Sequence, residues 1–325
     1  GTGSTDRITG GAGADTVVVV TATSADADVV VGGSGSDTIK IADGLAGTTT
    51  SQNVVDLTTP GNGAIANTGA FANYSGFENI DVSAETGATD GFTLKGDANA
   101  NVIKGGAGDD AYTVTAGNDT VTLGAAADNI SITTALLAAN SGTTATIDGG
   151  AGTDVMTIAD AGTTVVDADF RGITLVETLK LADGTNTVVV GALAKAAGIV
   201  SLTGGTGVDT VTLHDGITAY GITAGADVIT MPGTYASGLT MTDAVTATDD
   251  QRIKFDAFQD SVTSWGAAET NAADVDAADE WHFGAGVLTI YNENAATPGA
   301  VTIAVVGAAI VADGVNAGSL TLDVA

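Results

Sequence analysis

Short apolar stretches recur along the chain, each closing a polar, glycine-rich run. Where this pattern is spelled most fully it reads Gly-Gly-x-Gly-x-Asp-x-apolar-x. That phrase occurs five times without deviation, beginning at Gly10, Gly32, Gly105, Gly149 and Gly204. Six residues turn and three extend, so each phrase predicts a tight turn followed by a short strand. Strand residues alternate, which sends the eighth position inward: Val17, Ile39, Tyr112, Met156 and Val211. Two phrases make one coil of 18 residues with two strands and two turns, and stacked coils pair their strands in parallel along an axis.

Weaker copies keep the nine-residue frame at 1–9, 23–31, 96–104, 114–122, 123–131 and 222–230. Turns two phrases apart stack on the same edge. The expected pairs are 1–9 with 23–31, 10–18 with 32–40, 96–104 with 114–122, 105–113 with 123–131, and 204–212 with 222–230. The phrase at 149–157 has no clean partner nearby in the sequence, so its site is the least secure, and the copies inside 96–131 should bind best. A longer repeat lies on top. Glu78 and Glu177 are 99 residues apart, as are Asp110 and Asp209, and Asp128 and Asp227. The stretches 77–131 and 176–230 therefore read as two copies of one module.

Elsewhere the pattern loosens. Residues 41–76 and 132–148 read as irregular coils and outward loops, while 133–140 and 191–198 have the composition of a helical turn or two. From about residue 236 the phrase is absent. Residues 251–258 alternate like a strand, 265–282 form an acidic loop, and the segment around Asn292–Pro298 reads as the bend of a hairpin-like pair. The prediction is an all-β chain: a parallel β-roll or β-solenoid over 1–235, with interspersed loops, and a C-terminal β region over 236–325.

Composition sharpens this picture. Hydrophobic residues make up 44% of the 325 residues, so the strong acidity does not imply disorder. Formal net charge is -30, and only six of the 39 acidic residues are Glu, which leaves 33 Asp. Short Asp side chains in glycine-rich turns suit oxygen cages for a hard cation, and calcium takes six to eight oxygens at about 2.3–2.6 Å. One turn offers backbone carbonyls and a carboxylate; a stacked turn offers the second set. Nucleic acid is excluded as a partner by like charge. There is no cysteine, no membrane-spanning apolar run and no N-terminal signal peptide. The chain starts at Gly1 within a repeat-like phrase, and is read as a fragment whose upstream part is missing. Peptidase and nucleophile-elbow motifs are absent, and Asp279, Glu280 and His282 read as part of an exposed acidic loop beside Trp281, so no enzyme is expected.

The five phrases resemble the repeats-in-toxin (RTX) family, whose calcium-binding nonapeptides form a parallel β-roll. The resemblance implies that the sixth-position residues Asp6, Asp15, Asp28, Asp37, Asp110, Asp119, Asp128, Asp154, Asp209 and Asp227 are calcium ligands. Asn101 holds the same position with a neutral amide, which weakens its site. The implied ligand turns include Gly11, Gly13, Gly33, Gly35, Gly106, Gly108, Gly150, Gly152, Gly205 and Gly207. The family is typically exported by type I secretion, needs no N-terminal signal and folds on extracellular calcium; the apolar tail ending at Ala325 is similar to such export signals. The sparse phrases amid Thr/Ala/Val-rich coils look most like bacterial surface-layer proteins. That implies a secreted, cell-surface structural protein that assembles with itself into a lattice, anchored to a surface polysaccharide through a missing upstream region. The alternative is the C-terminal folding and secretion module of a type I-exported enzyme or adhesin.

Overall fold

The computed structural model describes residues 7–19, 29–43, 53–58, 73–162, 164–222, 227–231, 239–243, 251–255, 281–284, 287–292, 299–306, 309–312 and 319–324. Asp6, Asp28, most of the expected acidic loop and Ala325 lie outside them. The chain forms two compact units, one of residues 1–157 with 171–176 and one of 158–170 with 177–325.

In the first unit, successive strands alternate between two sheets, as a coil requires. One sheet runs Thr16–Val19, Thr38–Ile41, Asn79–Asp81, Val102–Lys104, Thr120–Thr122, Thr146–Asp148, Ile173–Thr174; the other runs Asn53–Asp56, Phe92–Lys95, Ala111–Thr113, Asn129–Ile132, Val155–Ile158. Arg7–Gly13, Val29–Gly35 and Asn73–Ser75 form a third, smaller sheet. Their strands pair in parallel, with Thr120 beside Val102 and Thr146, and Ala111 beside Thr93 and Asn129. Alternate positions face inward, one in Val102–Lys104, Ala111–Thr113, Thr120–Thr122 and Thr146–Asp148, and two in Phe92–Lys95, Asn129–Ile132 and Val155–Ile158. Ile103, Tyr112, Val121, Ile147, Leu94, Ile130 and Met156 are among them, all at most 2% exposed. A fully buried aliphatic side chain of this kind contributes about 1.5–3 kcal/mol, so the core is a thin line of such residues. Ile39, Met156 and Val211 are buried at the eighth position as the alternation requires, and Val17 is half-buried.

The second unit repeats the plan. Thr178–Lys180, Ser201–Thr203, Ala219–Ile222, Leu239–Asp243 and Gly299–Val306 stand in parallel in one sheet; Thr164–Val165, Thr187–Val189, Thr210–Thr212, Val228–Met231, Gln251–Phe255 and Ser319–Val324 do so in another. The hairpin read around 292–298 is present, as Val287–Asn292 pairs antiparallel with Gly299–Val306. Trp281–Gly284 adds a further antiparallel strand.

The 99-residue offset maps strand onto strand for Val102–Lys104 and Ser201–Thr203, Ala111–Thr113 and Thr210–Thr212, and Thr120–Thr122 and Ala219–Ile222. It fails once. Phe92–Lys95 is a strand, whereas the equivalent stretch holds the helix Ala192–Ala197. That helix starts where Asp167 accepts the main-chain N–H groups of Gly191, Leu193 and Ala194 at 2.8–3.1 Å, an acceptor that offsets the unmatched donors of a helix start. The second expected helix is present as Thr134–Ser141, with Thr133 as its N-cap. The stretch 41–76 is less irregular than expected. Asn53–Asp56 and Asn73–Ser75 are strands, the first because Asn53 and Val55 alternate inward.

Candidate calcium sites

A ladder of carboxylates runs along the turns. The main-chain N–H of Asp15 donates to Oδ1 of Asp37 at 2.8 Å, that of Asp110 to Asp128 at 2.7 Å, that of Asp128 to Asp154 at 2.8 Å and that of Asp209 to Asp227 at 2.8 Å. Phe92 donates in the same way to Asp110, and Asn186 to Asp209. Asp37, Asp110, Asp128, Asp154, Asp209 and Asp227 thus each have one oxygen fixed by the preceding coil. The other oxygen behaves differently. Oδ2 of Asp15, Asp37, Asp128 and Asp209 is buried and receives no hydrogen bond. A buried polar atom without a partner costs about 1–3 kcal/mol, and more when charged.

The electrostatics point the same way. Burial, with the Asp110 and Asp154 carboxylates beside it, pushes the Asp128 carboxyl up to about 8. Burial pushes Asp110 up to about 6, and raises Asp119 and Asp209 as well. Hydrogen bonds from Phe92 and Gly106 to Asp110, and from Asn101 and Tyr112 to Asp119, offset part of that cost, whereas a cation beside the open Oδ2 of Asp128 would stabilise its anion directly.

The space beside them suits one. A β-carbon on Gly10 would lie 2.8 Å from Asp15 Oδ2 and 2.5 Å from the Gly32 carbonyl oxygen. On Gly105 it would strike Asp110 Oδ2 and the Leu123 carbonyl; on Gly149 it would lie 2.8 Å from Asp154 Oδ2 and strike the Leu175 carbonyl. The first glycine of the phrase therefore keeps open a small cradle faced by its own carboxylate and by the carbonyl of the next coil. Positive φ is needed later in the turn, where Gly33 (φ 129°) and Gly150 (φ 100°) pass against the backbone of the coil before them. Among the described residues no three acidic or imidazole side chains converge. The donors are one carboxylate per turn plus main-chain carbonyls, an all-oxygen set that fits calcium. The ion would supply the charge that the ladder lacks.

The expected pairs at 10–18 with 32–40 and 105–113 with 123–131 are stacked: Gly11 and Gly13 lie in register with Gly33 and Gly35, and Ala111 with Asn129. In the pair 204–212 with 222–230, Asp209 and Thr210 stand against Asp227 and Val228. Gly106 and Gly108 pack against Glu85 and Asp90, and Gly205 and Gly207 against Ala182–Gly184.

One expectation is corrected. The phrase at 149–157 is not isolated, because Asp154 accepts from Asp128 over 26 residues, Ala151 pairs with Ala125, and Gly150 and Gly152 lie against Gly124 and Ala126. The intervening chain leaves the coil as the helix Thr134–Ser141 and returns as the strand Thr146–Asp148, so the stack resumes with a longer loop.

Asparagine amides bridge other junctions. Asn101 donates through Nδ2 to the Glu78 carbonyl at 2.7 Å and to Asp97 at 3.1 Å. Its neighbour Asp119 has both oxygens engaged, by the Asn101 N–H at 3.0 Å and by the Tyr112 hydroxyl at 2.9 Å. The block 96–131 is therefore divided: one edge carries the open Asp128 cradle and the other is closed by protein hydrogen bonds. Asn186, not singled out in the sequence, donates through Nδ2 to the carbonyls of Ala182 and Gly184 and to Asp209 at 2.8–3.1 Å. These are the oxygen types a cation would take. The signal for Asn186 was its place at the end of a degenerate turn, ADGTN at 182–186, which lacks the glycine pair.

No helix among the described residues is long and apolar enough to cross a membrane. No curated protein matches the chain. Four overlapping or adjacent segments, 1–18, 23–40, 89–121 and 113–131, match the family model for the RTX calcium-binding nonapeptide repeat. The phrases at Gly149 and Gly204 lie outside those segments, yet their Asp154 and Asp209 are built into the same ladder. In its matched segments this chain is similar to the RTX family, and it carries repeats of the kind that bind calcium ions.

Proposed function

We propose that this chain is a structural protein of the cell surface. It leaves the cell by type I secretion, folds when it meets extracellular calcium, and assembles with copies of itself into a two-dimensional layer; it performs no catalysis. The observation that carries the reading is the buried carboxylate ladder. A row of anions such as Asp110, Asp128 and Asp154 opposes folding until a cation enters, which makes folding conditional on calcium. The coil faces support the lattice part. Thr120 and Thr146 stand side by side and exposed on one sheet, and Thr187 and Thr210 on another. Rows of short polar side chains make flat surfaces on which a second copy can lie.

Calcium is added to chelator-treated chain while strand content is followed by circular dichroism, and the product is imaged by electron microscopy. Ordered sheets that need calcium are expected. Folded but dispersed monomers at every calcium concentration would favour the alternative, a folding and secretion module serving an upstream enzyme or adhesin. Equal spectra with and without chelator would remove the calcium-dependent folding itself.

A further inference from the structure

One junction of the ladder departs from the nonapeptide design. The coil that follows 32–40 along its stack is entered not by another nonapeptide but by the segment around Phe77, outside the segments that match the family. There the main-chain N–H of Asp37 donates to Oε2 of Glu78 at 2.7 Å over 41 residues. In the neighbouring coils that bond goes to a sixth-position Asp. The N–H groups of Glu78 and Asn79 return to the Asp37 carbonyl at 3.1 and 3.0 Å, and the Asn79 amide donates to Ser36 Oγ at 3.0 Å, so the two segments are held in register on both sides.

Asp37 itself is 0% exposed, and its Oδ2 receives no hydrogen bond. A β-carbon on Gly32 would strike the Gly76 carbonyl oxygen and lie 2.9 Å from Asp37 Oδ2. The buried carboxylate oxygen and the Gly76 carbonyl therefore face one small cradle, as at the repeat sites. The difference is the second carboxylate, which comes from a Glu.

We propose that Glu78 is a calcium ligand, and that Asp37, the Gly76 carbonyl and Glu78 form a site closed by a segment outside the nonapeptide repeats. The assignment rests on the calcium reading of the ladder and extends it to a residue that the repeat pattern does not contain. Two carboxylates around one dication leave no net charge in the cradle, which suits a hard cation of this size. The ion would also fix the position of Gly76 and Glu78 against the coil of 32–40.

The test counts calcium per chain by elemental analysis after gel filtration at fixed free calcium. It compares the whole chain with Glu78→Gln, Glu78→Asp and, as a control, Asp215→Asn, whose carboxylate pairs with Lys195. Gln keeps an acceptor for the Asp37 N–H, so the circular dichroism of E78Q should match the parent. E78Q is expected to bind one ion fewer, or to need about tenfold more calcium for one ion, while D215N keeps the full count and E78D retains the ion. A full count at parent affinity in E78Q overturns the assignment. An equal loss in E78Q and E78D marks a packing effect and overturns it too. A parent chain that binds no calcium overturns instead the calcium reading on which the assignment rests.

Discussion

The main-chain N–H of Asp110 donates to Oδ1 of Asp128, 18 residues on, at 2.7 Å. This one bond aims the carboxylate. With Oδ1 committed to the backbone of the preceding coil, Oδ2 is turned into the cradle, where it is buried without a hydrogen-bond partner. The same geometry holds between Asp15 and Asp37, so strand stacking and cation binding are two results of one arrangement.

Asp128→Asn should act with opposite sign in the two states. Asn keeps an oxygen for the Asp110 N–H but removes a buried charge flanked by Asp110 and Asp154. In chelator the variant should be more stable than the parent, by about 1–3 kcal/mol. In saturating calcium it should be less stable by a similar or larger amount, because a ligand charge is lost. Urea unfolding in both buffers measures the two differences; a loss of stability in chelator would contradict the repulsion argument.

Asn186→Asp tests whether an amide stands in for an ion. The substitution removes the donor to Ala182 O, Gly184 O and Asp209 and brings a second carboxylate to the same place. Without calcium it should destabilise the fold by about 3–5 kcal/mol, since charges are left buried and uncompensated. With calcium, the chain should bind one more ion than the parent, counted by isothermal titration. An unchanged ion count would show that this junction cannot accept a cation.

His214 should make stability depend on pH. Its Nδ1 accepts the Gly216 N–H at 2.9 Å, so Nε2 carries the proton and donates to the Ile199 carbonyl at 3.0 Å. Burial is the main cause that holds its pKa below the ordinary value of 6.5. The unfolded chain therefore takes up a proton first, and stability that is full above about pH 6.5 falls as pH descends below it. His214→Gln keeps a donor for Ile199 and does not titrate. In saturating calcium, the melting temperature of the parent should drop more between about pH 7.5 and about pH 5 than that of H214Q. Equal drops would exclude this residue as the source.

Ala126 occupies the left-handed region at φ 84°, at the turn position where the full phrase carries its third glycine. Ala126→Gly should relieve that strain, worth roughly 1–2 kcal/mol, against a smaller entropic cost in the unfolded chain. A net gain of about 0.5–1 kcal/mol is expected, read as a rise in the urea midpoint. A fall would mean that the Ala126 methyl contributes more by packing than its backbone costs.

Much of the molecule can be read from local pattern. The glycine pair needs a turn, the alternation of Thr120-Val121-Thr122 needs a strand with one buried face, and the sixth-position Asp needs a partner for its charge. Each of these depends on residues within a few positions of one another, so the sequence alone determined the coil, its parallel β architecture and the calcium chemistry. Only the tertiary structure decided which coil stacks on which. Asp128 meets Asp154 across a looped-out helix, and Asp37 meets Glu78 across 41 residues that include the strands Asn53–Asp56 and Asn73–Ser75. It also decided which carboxylates stay open. Asp119 is closed by Tyr112 while Asp128 is not, and the helix read over 191–198 is held at its start by Asp167, which arrives from elsewhere to accept its first N–H groups. Those outcomes depend on side chains that meet only after the chain has coiled, and no local spacing encodes them.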